Sequence, residues 1–414
     1  MMRQMGDDAF DLMTPAALAE PFPVYRRLRD EAPVHWSPAH GGWLVTRYDL
    51  VTRALKDPRF SARRSEAMFE RMPPAIRDAT RPLQQAFKLW LLMMDPPDHT
   101  RLRALVSKAF APPLVAALRP RVQALVDEAL DRVAAAGRME LIADLAQPIP
   151  AIVIAQLLGV DPADHLRFKQ WSDDLALMEL GPAGFLQAQA SMLAMMDYLR
   201  AVIDERRRAP REDLLSQLLA AEEAGQFLGE DELLANCALI LFAGHETTTN
   251  LIGNGIYELL RHPAQLAILR DEPALIEPAI EELLRFHGPI QRVRRTALEP
   301  VELGDQTIAA GDPVWLLVGA ANRDPDVFAD PDTLDLRRRP TRQLTFGFGA
   351  HFCVGASLGR LEGAIAIATI VRRLPDLRGA LDDLAWRKDL SFRGLTRLPL
   401  TFTPTAPTTP RSPA

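Results

Sequence analysis

A helical period over residues 231–261 constrains this chain more than any other stretch of it. A helix of that length spans on the order of 45 Å, the width of a whole domain. Residues 238–243 are apolar on every face, so this helix has to cross the interior and the fold has to be assembled around it. His262–Pro263 stop it. The buried run leads directly into Gly244, His245, Glu246, Thr247, Thr248 and Thr249. An acid beside hydroxyls in a core helix is costly unless partnered. Two explanations are open: a solvated kink, or the wall of a site in which Glu246 and Thr247 manage protons. Gly244 would let something approach the backbone closely.

Helical spacing recurs over residues 112–137, 149–158, 185–208 and 361–374. Residues 34–48 read as a hairpin turning at Pro38, Gly41 and Gly42. A second strand-rich patch covers 301–321, and a final strand is expected over 398–403. The stretch 206–212, with four arginines and Pro210, reads as a solvated turn. The 34 prolines are scattered between helical segments and none marks a linker. The expectation is a mainly α fold with small β-sheets set apart (α+β), as a single domain over 12–403. Residues 1–11 are expected to be flexible and 404–414 disordered.

A net charge of −6 argues against nucleic-acid binding. No run approaches the roughly 20 apolar residues needed to span a bilayer, so no membrane insertion is expected. Asp7 and Asp8 stand where a signal peptide would be apolar, and a cytoplasmic location is expected. There are only two cysteines, which excludes a disulfide framework and a multi-cysteine zinc site. Cys237 lies in an apolar helical stretch and reads as a small buried side chain.

Cys353 needs another explanation. It stands in Phe346-Gly347-Phe348-Gly349-Ala350-His351-Phe352-Cys353-Val354-Gly355. A phosphate loop fails here, because Phe352 occupies the third glycine position and no Lys-Ser/Thr pair follows. A cysteine nucleophile is conceivable, but no acyl-transfer arrangement accompanies it. A thiolate metal ligand fits best. The glycines tighten the loop, Phe346 and Phe352 dry it, and a helix beginning near Gly355 would set its positive end by the sulfur. A single cysteine as sole protein ligand points to haem, where the porphyrin supplies four donors.

Two further segments carry chemistry. Residues 278–286 form a short helix in which Glu282 and Arg285 share a face, although Glu281 is equally within reach of Arg285. Residues 95–110 open with Asp95-Pro96-Pro97 and put His99 and Arg103 one turn apart, an arrangement suited to a carboxylate and equally to an exposed face.

Together these segments resemble the cytochrome P450 superfamily in its soluble bacterial branch. The cysteine loop matches the family's Phe-x-x-Gly-x-His-x-Cys-x-Gly, and Glu282-Leu283-Leu284-Arg285 its Glu-x-x-Arg. Ala243-Gly244-His245-Glu246-Thr247 matches the central Ala/Gly-Gly-x-Asp/Glu-Thr motif. Residues 95–103 and Ala320-Ala321-Asn322-Arg323-Asp324-Pro325 resemble family segments in the same order.

The resemblance implies a haem-thiolate monooxygenase that inserts one atom of O2 into a hydrophobic small molecule of terpenoid, steroid or polyketide type. Haem b would be the cofactor, with Cys353 on its iron. His99, Arg103, Arg295 and His351 would hold the propionates, and Phe346 and Gly355 would frame the loop. Glu246 and Thr247 would deliver protons, while Glu282 and Arg285 would be a structural pair. Trp90, Leu91, Met93, Leu239, Phe242, Ala243, Ile290, Gln291, Val293 and Phe392 would line the substrate pocket. His245, at the motif's variable position, would point away from the iron. Electrons would come from a ferredoxin and its NAD(P)H-dependent reductase, docking on Arg101, Arg103 and Arg360. A peroxide-using enzyme and a non-enzymatic haem sensor are the alternatives.

Overall fold

The computed structural model describes residues 10–70, 72–223, 229–339, 342–382, 384–387 and 389–408. They gather into two compact units. One comprises residues 1–60, 116–146 and 247–414, the other 61–115 and 147–246.

The first unit holds the sheets. Val34–Ser37 and Gly42–Val45 form the expected hairpin, with Val34 opposite Val45. Pro313–Leu316 joins it in parallel and Val293–Ala297 pairs antiparallel beyond that. A short strand beginning at Phe60 completes the sheet. Helix Tyr48–Lys56 buries Leu50, Val51, Ala54 and Leu55 against it, which is the i, i+1, i+4, i+5 stripe of an amphipathic helix. Arg138–Glu140, Pro399–Thr401 and Arg378–Gly379 make a second sheet, and Val301–Leu303 pairs with Gln306–Ile308. Helix Ala356–Arg373 is buried along much of its length, with Ile365, Ala366, Ile367 and Ile370 in the core.

The second unit is built from helices, including Asp98–Ala109, Pro148–Leu158, His165–Ala176 and Pro182–Arg208. Pro182 pre-sets the first turn of the last of these, and Pro210 lies just beyond its end. Phe168, Trp171 and Tyr198 knit it to its predecessor, with ring centroids 5.5–5.9 Å apart. The long helix is Glu230–Arg261, and the boundary between the units falls within it, after Glu246.

The stretch expected as a solvated turn is different. The helix continues to Arg208, and Arg206 is only 4% exposed, donating to Asp213 at 2.7 Å and to the Gly159 carbonyl at 2.5 Å. Both ends of the chain, expected to be loose, contain anchored residues. Phe10 packs in a core cluster with Phe22 and Tyr25, and the Thr405 and Thr408 amides donate to Ala134 O and Asp131 Oδ1. Residues 1–9 and 409–414 lie outside the described residues.

Candidate functional site

Cys353 is exposed and sits two residues before the N-cap of helix Ala356–Arg373. Its loop is tight for identifiable reasons. Gly347 and Gly349 have φ of 74° and 73°, the left-handed region that side chains resist. The Cys353 amide donates to Phe346 O at 2.8 Å and the Phe352 amide to Gly349 O at 3.0 Å. The following helix starts with Gly355 as cap, which aims the positive end of its dipole toward the cysteine. Among the described residues no group of three or more His, Cys, Asp or Glu could hold a metal ion. An exposed sulfur beside a helix start is a setting that favours the thiolate form and fits Cys353 as a single protein ligand to a haem iron.

The loop is fixed from behind. Asn322 accepts from the Leu344 amide at 2.6 Å and donates to Thr345 Oγ1 at 3.0 Å, and that hydroxyl donates to Leu284 O at 2.7 Å. Arg285 meets Glu282 in a two-pronged pair and also reaches the carbonyls of Asn322, Pro331 and Thr333. The alternative partner Glu281 instead takes Arg360, at 2.5 and 3.1 Å.

The centre of the long helix is buried but not uniformly. Leu241 and His245 are each 1% exposed, whereas Ala243 is exposed and Phe242, Gly244 and Thr247 are half-buried. Ala243 and Thr247 lie one turn apart, so the protein leaves one stripe of this helix uncovered. On another side Gly244 admits Ile154: a methyl group added there would stand 2.4 Å from its Cγ1. The His245 Nδ1–H donates to Leu241 O at 2.9 Å, and burial lowers the imidazole's pKa.

His99 is 1% exposed in helix Asp98–Ala109, with Arg103 half-buried one turn on. Asp95 sets this helix start by accepting from Ser61 Oγ at 2.5 Å and the Ala62 amide at 2.8 Å. Arg295 is 6% exposed on strand Val293–Ala297, and its guanidinium donates to Arg294 O at 2.9 Å. His351 is half-buried in the cysteine loop.

A profile of the cytochrome P450 family matches residues 190–375. Cytochrome P450 107B1 of Saccharopolyspora erythraea is 44% identical over 386 residues, 91% of this chain and 93% of that protein. The cytochrome P450 monooxygenase PikC of Streptomyces venezuelae is 43% identical over 396 residues, 92% of this chain and 91% of its own length. The crystal structure of CalO2 has a TM-score of 0.89 at 34% identity, covering 96% of this chain and 99% of that one. The chain belongs to the cytochrome P450 family.

This P450 is accordingly a haem-iron monooxygenase that uses O2, a small-molecule substrate and electrons from redox partners. Among its described residues no helix is long and apolar enough to cross a membrane. Of the side chains expected at the P450 pocket, Phe242, Ala243, Ile290, Val293 and Phe392 keep accessible surface. Trp90, Leu91, Met93 and Leu239 are buried, with Trp90 packed 5.5 Å from Phe242. Gln291 is 3% exposed, its side-chain amide donates to Gly288 O at 2.7 Å, and its Oε1 lies against Gly319.

The expected basic docking patch is partly spent. Arg101 forms a bidentate pair with the buried Glu232 at 2.7 and 3.0 Å, and Arg360 is held by Glu281. Other residues went unnoticed. Glu362, 1% exposed among the isoleucines of its helix, has its carboxyl pushed by burial up to about 8, with the Thr248 hydroxyl acting in the opposite direction. Asn250, Asn254 and Glu258 are each 1% exposed and continue the four-residue spacing that starts at Glu246. That spacing of polar residues along an apolar helix was the available signal.

Proposed function

We propose that this P450 carries haem b on Cys353 and oxidises a hydrophobic small molecule of terpenoid, steroid or polyketide type, with electrons from a ferredoxin and its NAD(P)H-dependent reductase. The observation that carries the reading is the exposed Cys353 in a glycine-tightened loop at a helix start. When bound, haem supplies O2 activation, to which the thiolate contributes electron density.

The chain's own residues do the rest. Burial of the two propionate charges would be offset by His99, Arg103, Arg295 and His351. Phe346 and Gly355 would frame the sulfur, the first as an apolar wall and the second as the helix cap. Thr247 Oγ1–H and the Glu246 carboxyl would hold and pass protons to the dioxygen being reduced, where proton timing separates product from released peroxide. His245 would take no part, because its Nδ1–H is committed to Leu241 O and burial favours the neutral ring. Phe242, Ala243, Ile290, Val293 and Phe392 would present apolar surface to the substrate, while Trp90, Leu91, Met93 and Leu239 support it from the core.

The test is spectroscopic. Reduced protein under carbon monoxide is expected to show the red-shifted band of thiolate-ligated haem, and a histidine-type band would overturn the Cys353 assignment. Titration with a library of apolar metabolites then reports the substrate class through the spin-state shift.

A further inference from the structure

Two short segments of the first unit, 289–291 and 391–393, touch through a single bridge. Ile290 pairs antiparallel with Phe392, through the Gln291 amide on Ser391 O at 2.9 Å and the Arg393 amide on Pro289 O at 2.7 Å. Two hydrogen bonds at a bend are a weak hold in water, since each contributes only about 0.5–1.5 kcal/mol net. The bridge is nevertheless reinforced from behind by buried polar groups that no step of the chemistry requires.

Asn254 carries the reinforcement. Its Nδ2 donates to the carbonyls of both His287, at 3.2 Å, and Arg393, at 2.9 Å, so one amide ties both segments to the long helix. One turn earlier, Asn250 abuts Gly394 so closely that a methyl group there would stand 1.9 Å from its Oδ1. One turn later, Glu258 accepts from His287 Nδ1–H at 2.5 Å. The other ring nitrogen, Nε2, accepts from Arg393 Nε at 2.8 Å. Arg393 also reaches Leu18 O at 3.0 Å and Ala19 O at 2.6 Å, and lies 3.9 Å over the Trp386 ring. Each of these polar side chains is buried.

We propose that Asn254, with the Glu258–His287–Arg393 chain, is a positioning device that fixes where Ile290 and Phe392 meet the substrate, and so governs orientation of an apolar ligand. The proposal rests on the reading that these two side chains line the substrate site. Asn254 touches neither substrate nor cofactor. It acts through the backbone that carries Phe392, and a buried donor with two acceptors has a strong angular preference.

The experiment uses the haem-loaded protein and two probes, imidazole and 4-phenylimidazole, followed by their spectral shifts. Imidazole reports access to the iron, and the added phenyl ring reports the apolar wall. Asn254→Ala is expected to leave the imidazole Kd unchanged and to weaken 4-phenylimidazole roughly fivefold to tenfold. Phe392→Ala should weaken it at least as much, and the double variant no further than Phe392→Ala alone. Arg393→Lys, which keeps the charge but loses the donor to His287, is expected to act in the same direction. Hydrogen exchange gives a readout without ligand: the Gln291 and Arg393 amides should exchange about tenfold faster in Asn254→Ala, with helix Ala356–Arg373 unchanged.

Unchanged selectivity between the probes, an additive double variant, or unaltered exchange would each overturn the proposal. So would equal loss of both probes in both variants, which would make the network a general stability element. A wild-type protein that gives no spectral shift with either probe would instead refute the haem reading, and exchange would still decide the clamp.

Discussion

Glu282 and Arg285 meet through two parallel hydrogen bonds, Nε to Oε2 at 2.7 Å and Nη2 to Oε1 at 2.8 Å, and neither side chain is exposed. The arginine uses its remaining donors on carbonyls of the segment leading to the cysteine loop, and the glutamate also receives Arg338 and the Asp335 amide. Removing one charge strands the other in the core, so Arg285→Ala is expected to cost about 3–5 kcal/mol. Urea unfolding would show this as a lowered midpoint, together with poor haem retention. A loss below about 1 kcal/mol would mean that the pair is not the brace described.

Gly244 should tolerate no side chain while Ile154 stays in place. Gly244→Ala is expected to lower stability by about 1–3 kcal/mol through overpacking. Ile154→Ala alone leaves a cavity and costs about 2–5 kcal/mol. Combined, the two should cost clearly less than their sum, and additive thermal-melting losses would contradict the contact.

Glu362 gives stability a slope with pH. Its folded-state pKa is raised from 4.5 to about 8 by burial, so the folded protein binds the proton more tightly than the unfolded chain. Stability from this group is full below about pH 4.5 and is lost as pH rises through about 8, at up to about 1.4 kcal/mol per pH unit. Glu362→Gln should therefore match wild type near about pH 5 and exceed it near about pH 9. Melting curves at the two pH values decide the matter.

His287 slopes the other way. Burial holds its pKa down from 6.5 to about 4, partly opposed by Glu258. Unfolded imidazole takes up a proton that the folded ring refuses, so stability falls as pH drops from about 6.5 toward 4. NMR of the ring should find it neutral at about pH 5, and a protonated ring there would refute the Nε2-acceptor geometry.

Thr247→Ala tests the proposed proton delivery. Product formed per electron pair consumed should fall by roughly 10-fold to 100-fold, with peroxide released in its place. Unchanged coupling would remove Thr247 from that role.

Part of this was legible in the amino-acid sequence because a few residues have few alternative uses. A lone cysteine among glycines and aromatic rings, before a helix, reads as a ligand, and the apolar run before Gly244 reads as interior, as residues 238–241 are while Ala243 is exposed. The choice between Glu281 and Glu282 was not legible. Both stand within reach of Arg285 on the helix, and what separates them is distant in sequence, Arg360 for one and Arg338 for the other. Arg206 misled for the same reason, since a charge run does not reveal the buried Asp213 that receives one member of it. Strand Val293–Ala297 went unread because Arg294 and Arg295 interrupt its apolar alternation. Gln291 reads as polar, and only the structure shows its side-chain amide donating to Gly288 O.

The double grip of Asn254 has an evolutionary consequence. Because it holds main-chain carbonyls rather than side chains, natural selection can replace Ile290 or Phe392 one at a time without disturbing the frame that carries them. Lengthening either segment by one residue would break that frame at once. If those two side chains line the substrate site as proposed, new substrates would be reached by point substitution there and not by insertion.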